Sequence, residues 1–434
     1  MQPADKSNLL RSEAELQLEK ARKDKAERTK DVGSPIEIAG KALAIQVRGN
    51  VAWIAENTTV IRKLDLETGK TLQLFKGHTA PVTSLAFVDR TPGSGKEDLL
   101  ITGSWDQTIR VWDVEASIAT KELVSTTSAH SDFVKALLVI PSLRLLVSSG
   151  SDKIVRFWDL STVADGQPLT SVGSLTDHTR PVESLDARAT SDTSAVLYTA
   201  DTMGVIKVWD IKKDDGTPPR WQSTLVEELK HHRTRVNDMK HGNGQLWTAS
   251  TDETVQVVPH PAPPPASASA STSPSSAASN PAASKPPPPI QHPAAVRALL
   301  PLGLTPLAEP YLLTGAGDVI RVYDVSSPEE PELLAEVDAH WHDVTALRLW
   351  MRRSAVEGPP GAVKVEPWIV SASLDGTIRR WRLSELLQPP PPPPVKKVEK
   401  KEKPPQAQAA PEATLPSGMT EEEERELAEL MDED

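Results

Sequence analysis

A histidine followed four residues later by valine recurs six times along the chain. The pairs are His78-Val82, His130-Val134, His178-Val182, His232-Val236, His292-Val296 and His340-Val344, spaced 52, 48, 54, 60 and 48 residues apart. After most copies comes a second signature: a small-polar pair, a turn with Asp, an alternating strand, then Trp-Asp or a substitute. It reads TGSWDQTIRVWD at 102–113, SSGSDKIVRFWD at 148–159, TADTMGVIKVWD at 199–210, TASTDETVQVV at 248–258, TGAGDVIRVYD at 314–324 and SASLDGTIRRWR at 371–382. A degenerate copy stands upstream at 51–70. The alternation of apolar and polar residues is that of a half-buried strand. Repeats of this length, built from short strands and turns, do not bury their own faces. They fold by stacking on one another, as a propeller or an array.

Eleven of the 18 aromatic residues are Trp, against four Phe and three Tyr, so something in the repeat demands the indole. At these residues the chain resembles the WD-repeat family, over about 34–387. The resemblance implies an all-β fold, a seven-bladed propeller of four-stranded antiparallel blades. With 259–289 set aside, the span gives roughly 46 residues per blade, close to the family's blade length of about 40–45.

The resemblance also implies a buried hydrogen-bonded set in each blade. In blade two it would be His78, Thr102, Asp106 and Trp112; in blade three His130, Ser148, Asp152 and Trp158; in blade seven His340, Ser371, Asp375 and Trp381. Blade four keeps His178 and Trp209 but has Met203 where Asp is expected. Blade five has Val258 for the Trp, blade six has Tyr323 and a shorter turn, and blade one lacks both His and Trp. These four blades are expected to be the softer part of the ring. Blade seven has no good fourth strand after Leu383, while the alternating segment 34–39 is unassigned, so that segment is expected to close the ring. Residues 1–30 are then expected to be dispensable for stability.

Proline marks the remaining boundaries: eleven fall within 259–289 and ten within 389–416. The expected organisation is a charged helical extension at 1–32, with a thin apolar stripe from Leu9, Leu10, Leu16 and Leu18. The propeller follows at 33–388, with a disordered Pro/Ser/Ala-rich insertion at 259–289 in blade five. A Pro/Lys-rich linker at 389–418 leads to an acidic short helix at 419–434. Nine acids and one Arg in that last segment supply −8 of the net −12. Thr420 and Glu423 form a capping box, and Leu427, Leu430 and Met431 share one side.

Several chemistries are excluded or disfavoured. There is no cysteine, hence no disulfide and no thiolate ligand. No run of about 18 apolar residues and no apolar leader core is present, so no membrane span or secretory leader is expected. The acidic balance argues against direct nucleic-acid binding. Gly93-Ser94-Gly95-Lys96 lacks the flanking Gly and Ser/Thr of a phosphate loop. His231-His232 and His340-Trp341-His342 lack companion ligands, and His, Asp and Ser recur once per blade, as architecture does and catalysis does not. No enzyme activity, metal, cofactor or small-molecule substrate is expected.

The expected function is that of a non-catalytic scaffold or adaptor of the cytoplasm or nucleus, binding other proteins within a multi-subunit complex. Alternatives implied by the resemblance are a subunit of a chromatin or ribosome-assembly complex, and a substrate receptor of a cullin-type ubiquitin ligase. Such receptors often carry Arg two residues after Trp-Asp, where this chain has Glu115, Ser161 and Lys212. Long insertions fall between first and second or third and fourth strands: 89–97, 189–195, 212–221, 259–289 and 352–366. The opposite face, built from short turns, should be rigid and is the expected binding side. Trp105, Phe133, Arg180, Met203, Arg233, Arg235 and Trp341 flank its structural residues, and Trp and Arg are enriched at binding hot spots. An acidic or phosphorylated protein segment near blades four and five is the expected ligand, with Leu427 and Leu430 of the terminal helix as a second contact.

Overall fold

A computed structural model of the chain describes residues 13–91, 98–115, 122–214, 216, 220–260, 287–327, 329–355 and 363–388. These form seven four-stranded antiparallel sheets arranged as a β-propeller. Six blades are continuous in sequence, at 42–76, 82–128, 134–175, 182–229, 236–291 and 296–338. The seventh takes Val344–Ala355, Val363–Ser373 and Thr377–Arg382 from the end of the chain and Pro35–Glu37 from its beginning. Pro35 pairs with Arg379 and Glu37 with Thr377, so the ring is closed by β-pairing between residues some 340 positions apart.

The first strand of each blade lies innermost, against the first strands of its two neighbours, including the first and seventh blades. Each inner strand has an irregular register between its first and third residues, at Val82/Ser84 and its six equivalents. A bulge of this kind leaves the second residue unpaired and turns its side chain out of the ladder. Thr83 uses that freedom to donate to the Val134 carbonyl at 2.7 Å, and Thr345 to the Ala42 carbonyl at 2.9 Å. Asn237 donates to the Val296 carbonyl at 2.6 Å. Each bond runs from one blade to the next.

Seven apolar clusters fill the seams, one between each pair of neighbouring blades among the described residues. The third-strand indoles of Trp112, Trp158, Trp209 and Trp381 each join the seam shared with the preceding blade. Removing one such indole would cost about 3–5 kcal/mol. This explains why the repeat keeps Trp.

Among the described residues two α-helices flank the ring. Helix α1, Glu13–Arg28, carries mostly charged residues and is held by charge: Lys25 meets Asp318 and Asp338, and Arg28 meets Asp338, each at 2.7 Å. Arg379, buried in blade seven, donates to the carbonyls of Thr29 and Val32. Of the expected helical extension at 1–32, the described part is helical over Glu13–Arg28, and the residues after it are built into blade seven. Helix α2, Leu383–Leu387, buries Leu383 and Leu386 where the chain leaves the ring.

Two of the expected long insertions are not loops. Val182–Ser191 and Ser194–Asp201 extend to a two-residue turn, and the hairpin of blade seven continues to Ala355 and Val363. The proline-rich insertion from residue 261, the linker and the acidic segment lie outside the described residues.

Candidate functional site

The face carrying the turns between second and third strands is tied down the same way in every blade. One backbone N–H of the turn donates to the carbonyl just before the inner strand, as Trp105 to Pro81, Ser151 to Phe133 and Leu374 to Asp343, all within 2.9–3.1 Å. Behind these turns lies the repeated polar set. His78 Nδ1 is 2.8 Å from Asp106, His78 Nε2 is 2.8 Å from the Thr102 hydroxyl, and Trp112 Nε1 donates to that hydroxyl at 2.8 Å. His130, Asp152, Ser148 and Trp158 repeat the geometry, as do His340, Asp375, Ser371 and Trp381.

Proton positions follow from pairing every group. An ionised Asp accepts from Nδ1–H, Nε2 accepts from the hydroxyl, and the hydroxyl accepts the indole N–H. Burial alone would raise the Asp106 carboxyl, but bonds from His78, Thr108 and the Thr79 N–H outweigh it and hold it well below the usual range. Burial lowers His130 and His340 despite their Asp partners, so both rings are neutral. Every hydroxyl in these sets is buried and committed, which leaves none as a nucleophile.

The degenerate blades depart from this set in different ways. In blade four the carboxylate near His178 is that of Asp201, two residues before Met203, at the position Ser104 holds in blade two. Its distance to His178 is 3.6 Å, longer than in the regular sets. That is beyond hydrogen-bond length, and His178 Nδ1 has no hydrogen-bond partner among the described residues, so Met203 leaves the set incomplete as the sequence suggested. His178 Nε2 and Trp209 Nε1 still share the Thr199 hydroxyl at 2.7 and 2.9 Å. Blade five keeps His232, Asp252 and Thr248, and His231 Nε2 reaches Thr248 at 3.1 Å in the missing indole's stead. In blade six His292 bonds Thr314 at 3.0 Å, its Nδ1 lies 3.2 Å from the Ile290 carbonyl, and Tyr323 packs edge-on against the ring. Blade one buries an ion pair, Arg62 with Glu56 at 2.5 Å.

The profile of the family described as WD domain, G-beta repeat, matches residues 69–113 and 121–159. Residues 69–159 thus carry WD repeats. It is similar to an uncharacterized WD repeat-containing protein of Schizosaccharomyces pombe, 27% identical over 88% of this chain and 90% of that protein. It is similar to COMPASS component SWD3 of Saccharomyces cerevisiae, 34% identical over 32% of this chain and 41% of that protein. To Pre-mRNA-processing factor 19 homolog 2 of Arabidopsis thaliana it is 32% identical, over 34% of this chain and 26% of that one. The chain therefore spans less than half of the last two. The computationally designed Ika8 protein, known from a crystal structure, shares the fold with a TM-score of 0.51 and 21% identity, over 79% of this chain and 83% of that one.

On the turn face of the ring, Trp105 and Phe133 stack across the seam of blades two and three. Their ring centroids are 4.9 Å apart at 19°, and they are 38% and 39% exposed. Met203, 53% exposed, and the exposed Arg180, Arg233 and Arg235 continue the arc over blades four and five. Arg235 lies 3.6 Å from Glu183. Trp341 is placed apart from them. It is half-buried and lines two cavities, of about 530 and 400 Å3, shared with α1. Leu427 and Leu430 lie outside the described residues. Among the described residues no three His, Cys, Asp or Glu side chains are grouped to hold a metal, and no helix is long and apolar enough to cross a membrane.

Sequence reasoning missed two participants. Asp201 is displaced by two positions from its repeat, and only its place beside Thr199 signals it. His231 is half of a His doublet in the blade whose third strand has Val258 in place of the Trp, which was the available signal.

Proposed function

We propose that this protein is a non-catalytic scaffold that holds an acidic or phosphorylated segment of a partner protein across blades two to five of the turn face. The observation that carries the reading is the exposed Trp105–Phe133 stack, next to Met203 and three arginines, on the part of the face that α1 leaves open. Two aromatic rings on turns fixed by backbone bonds lose little entropy on binding, and their burial supplies an apolar anchor. Arg180, Arg233 and Arg235 supply donors for carboxylate or phosphate oxygens. Trp341 belongs to the seating of α1 in this reading.

Similarity to a COMPASS component and to a ribosome biogenesis protein WDR12 homolog of Nematostella vectensis supports membership of a multi-subunit complex. It favours a chromatin or ribosome-assembly setting over the cullin-receptor alternative. The test is quantitative affinity purification from cells with wild type and with Arg180→Glu/Arg235→Glu. The double variant should lose one set of copurified proteins, by at least about 2 kcal/mol in affinity when a single partner is measured. Full retention in a folded variant would move the binding site elsewhere.

A further inference from the structure

A void of about 440 Å3 lies along the axis of the ring, walled by the inner strands. Its wall carries five cations, Lys135, Arg235, Lys240, Arg297 and Arg348, against two carboxylates, Glu183 and Asp238. That excess stands inside a chain whose net charge is −12. The carboxylates are already engaged. Glu183 is shared by Lys135 at 3.4 Å and Arg235 at 3.6 Å, and Asp238 accepts the Leu299 N–H and lies 3.6 Å from Lys240. Arg297 turns to Asp343 at 2.8 Å. Among the described residues Arg348 has no carboxylate partner; its guanidinium donates to the neighbouring Leu347 carbonyl.

Depth decides which ligand fits. Lys135 and Arg297 are the second residues of their strands, at the level of the bulge. Lys240 and Arg348 are the fifth, three residues further down, or about 10 Å at the rise of a strand. A carboxylate on a partner lying over the mouth reaches only about 5 Å from its backbone, at about 1.5 Å per bond. A free anion can pass the mouth and meet both levels. Cations confined to a narrow channel focus their field on its axis. The planar guanidinium of Arg348 fits a phosphate with two parallel N–H donors.

We propose that the axial channel binds a small polyphosphorylated anion, held by Lys240 and Arg348. This does not rest on the partner-binding reading: Arg235 is common to the channel wall and to that reading, whereas Lys240 and Arg348 belong to the channel alone. The experiment is calorimetric titration of the full chain with sodium tripolyphosphate in about 150 mM NaCl, where non-specific surface attraction is screened. Binding at one site per chain is expected, at least tenfold tighter than for orthophosphate. Lys240→Met/Arg348→Met should lose at least tenfold in affinity, and Arg180→Glu should stay within twofold of wild type. Should the double variant melt early, the single changes Lys240→Gln and Arg348→Gln serve in its place, each with a loss of at least threefold. Absence of binding, or unchanged affinity in folded channel variants, would overturn the proposal. Loss of binding in Arg180→Glu would place the anion at the mouth and overturn it as well. Tighter binding of an octaglutamate peptide than of tripolyphosphate, lost in the same channel variant, would make the channel a peptide site and reject the small anion.

Discussion

His340 Nδ1 lies 2.8 Å from the Asp375 carboxylate, and both side chains are wholly shut off from solvent. A charged group in that position is tolerated only because its donors are in place: His340, the Thr377 hydroxyl and the Thr377 N–H. Removing the carboxylate strands all three. Asp375→Ala should cost at least about 3 kcal/mol in urea unfolding. Asp201→Ala, whose His178 contact is 3.6 Å, should cost about half of that. Equal costs would contradict the view that the regular blades carry the polar frame.

Acid should unfold the ring from within. Burial pushes His231 and His292 down to about 4, and lowers His130, His232 and His340. A histidine kept neutral in the fold binds its proton more readily when unfolded, with an ordinary value near 6.5. Its stabilising contribution is full above about pH 6.5 and is lost as pH falls from there towards 4. The depressed Asp106, Asp152 and Asp375 add losses below about pH 4. The melting temperature should fall by roughly 10 °C or more between pH 7 and 4.5, before the carboxylates titrate. A flat profile over that range would contradict the neutral, buried histidines.

Much of this was legible because the repeat is written in residue types that have one structural use. His78, Thr102, Asp106 and Trp112 sit where the family resemblance implied, and the alternating segment 34–39 supplies the closing strand. What stayed hidden depends on contacts between distant residues. Nothing periodic in α1 reveals that Lys25 reaches Asp318 and Asp338. Arg380 stands where the other blades place Val111, Phe157 or Val208, and it crosses to the carbonyls of Leu66 and Glu67 in blade one. The axial cations come from four blades, one or two at a time, so no local pattern announces them.

The closure strand and the helix before it separate by deletion. Removing residues 1–39 takes away Pro35–Glu37 and leaves the edge of Thr377–Arg382 unpaired. The melting temperature should drop by about 8 °C or more. The sequence suggested that losing 1–30 would not lower the melting temperature sharply; the structure adds that Arg379, buried, donates to the Thr29 carbonyl. Removing 1–30 should cost a measurable part of that drop, and removing 1–24 should cost little. Identical melting of all three would contradict closure through the N-terminal strand.

Gly33 gives a point test of the same corner. Its φ is +68°, and a Cβ there would collide with the Trp381 indole. Gly33→Ala should destabilise by about 2 kcal/mol or more in denaturant unfolding. Gly49, with φ +56° but open space around it, should cost only about 1 kcal/mol when changed to Ala. Equal effects would mean that the indole is free to move.

Amide hydrogen exchange of the full chain, with and without its principal copurified partner, tests the partner-binding claim most directly. Bound partner should protect the turns at 105–107, 131–133, 179–181, 203–205 and 233–235, and Trp105→Ala/Phe133→Ala should abolish that protection. Protection confined to the opposite face, or to the α1 side around Trp341, would contradict it.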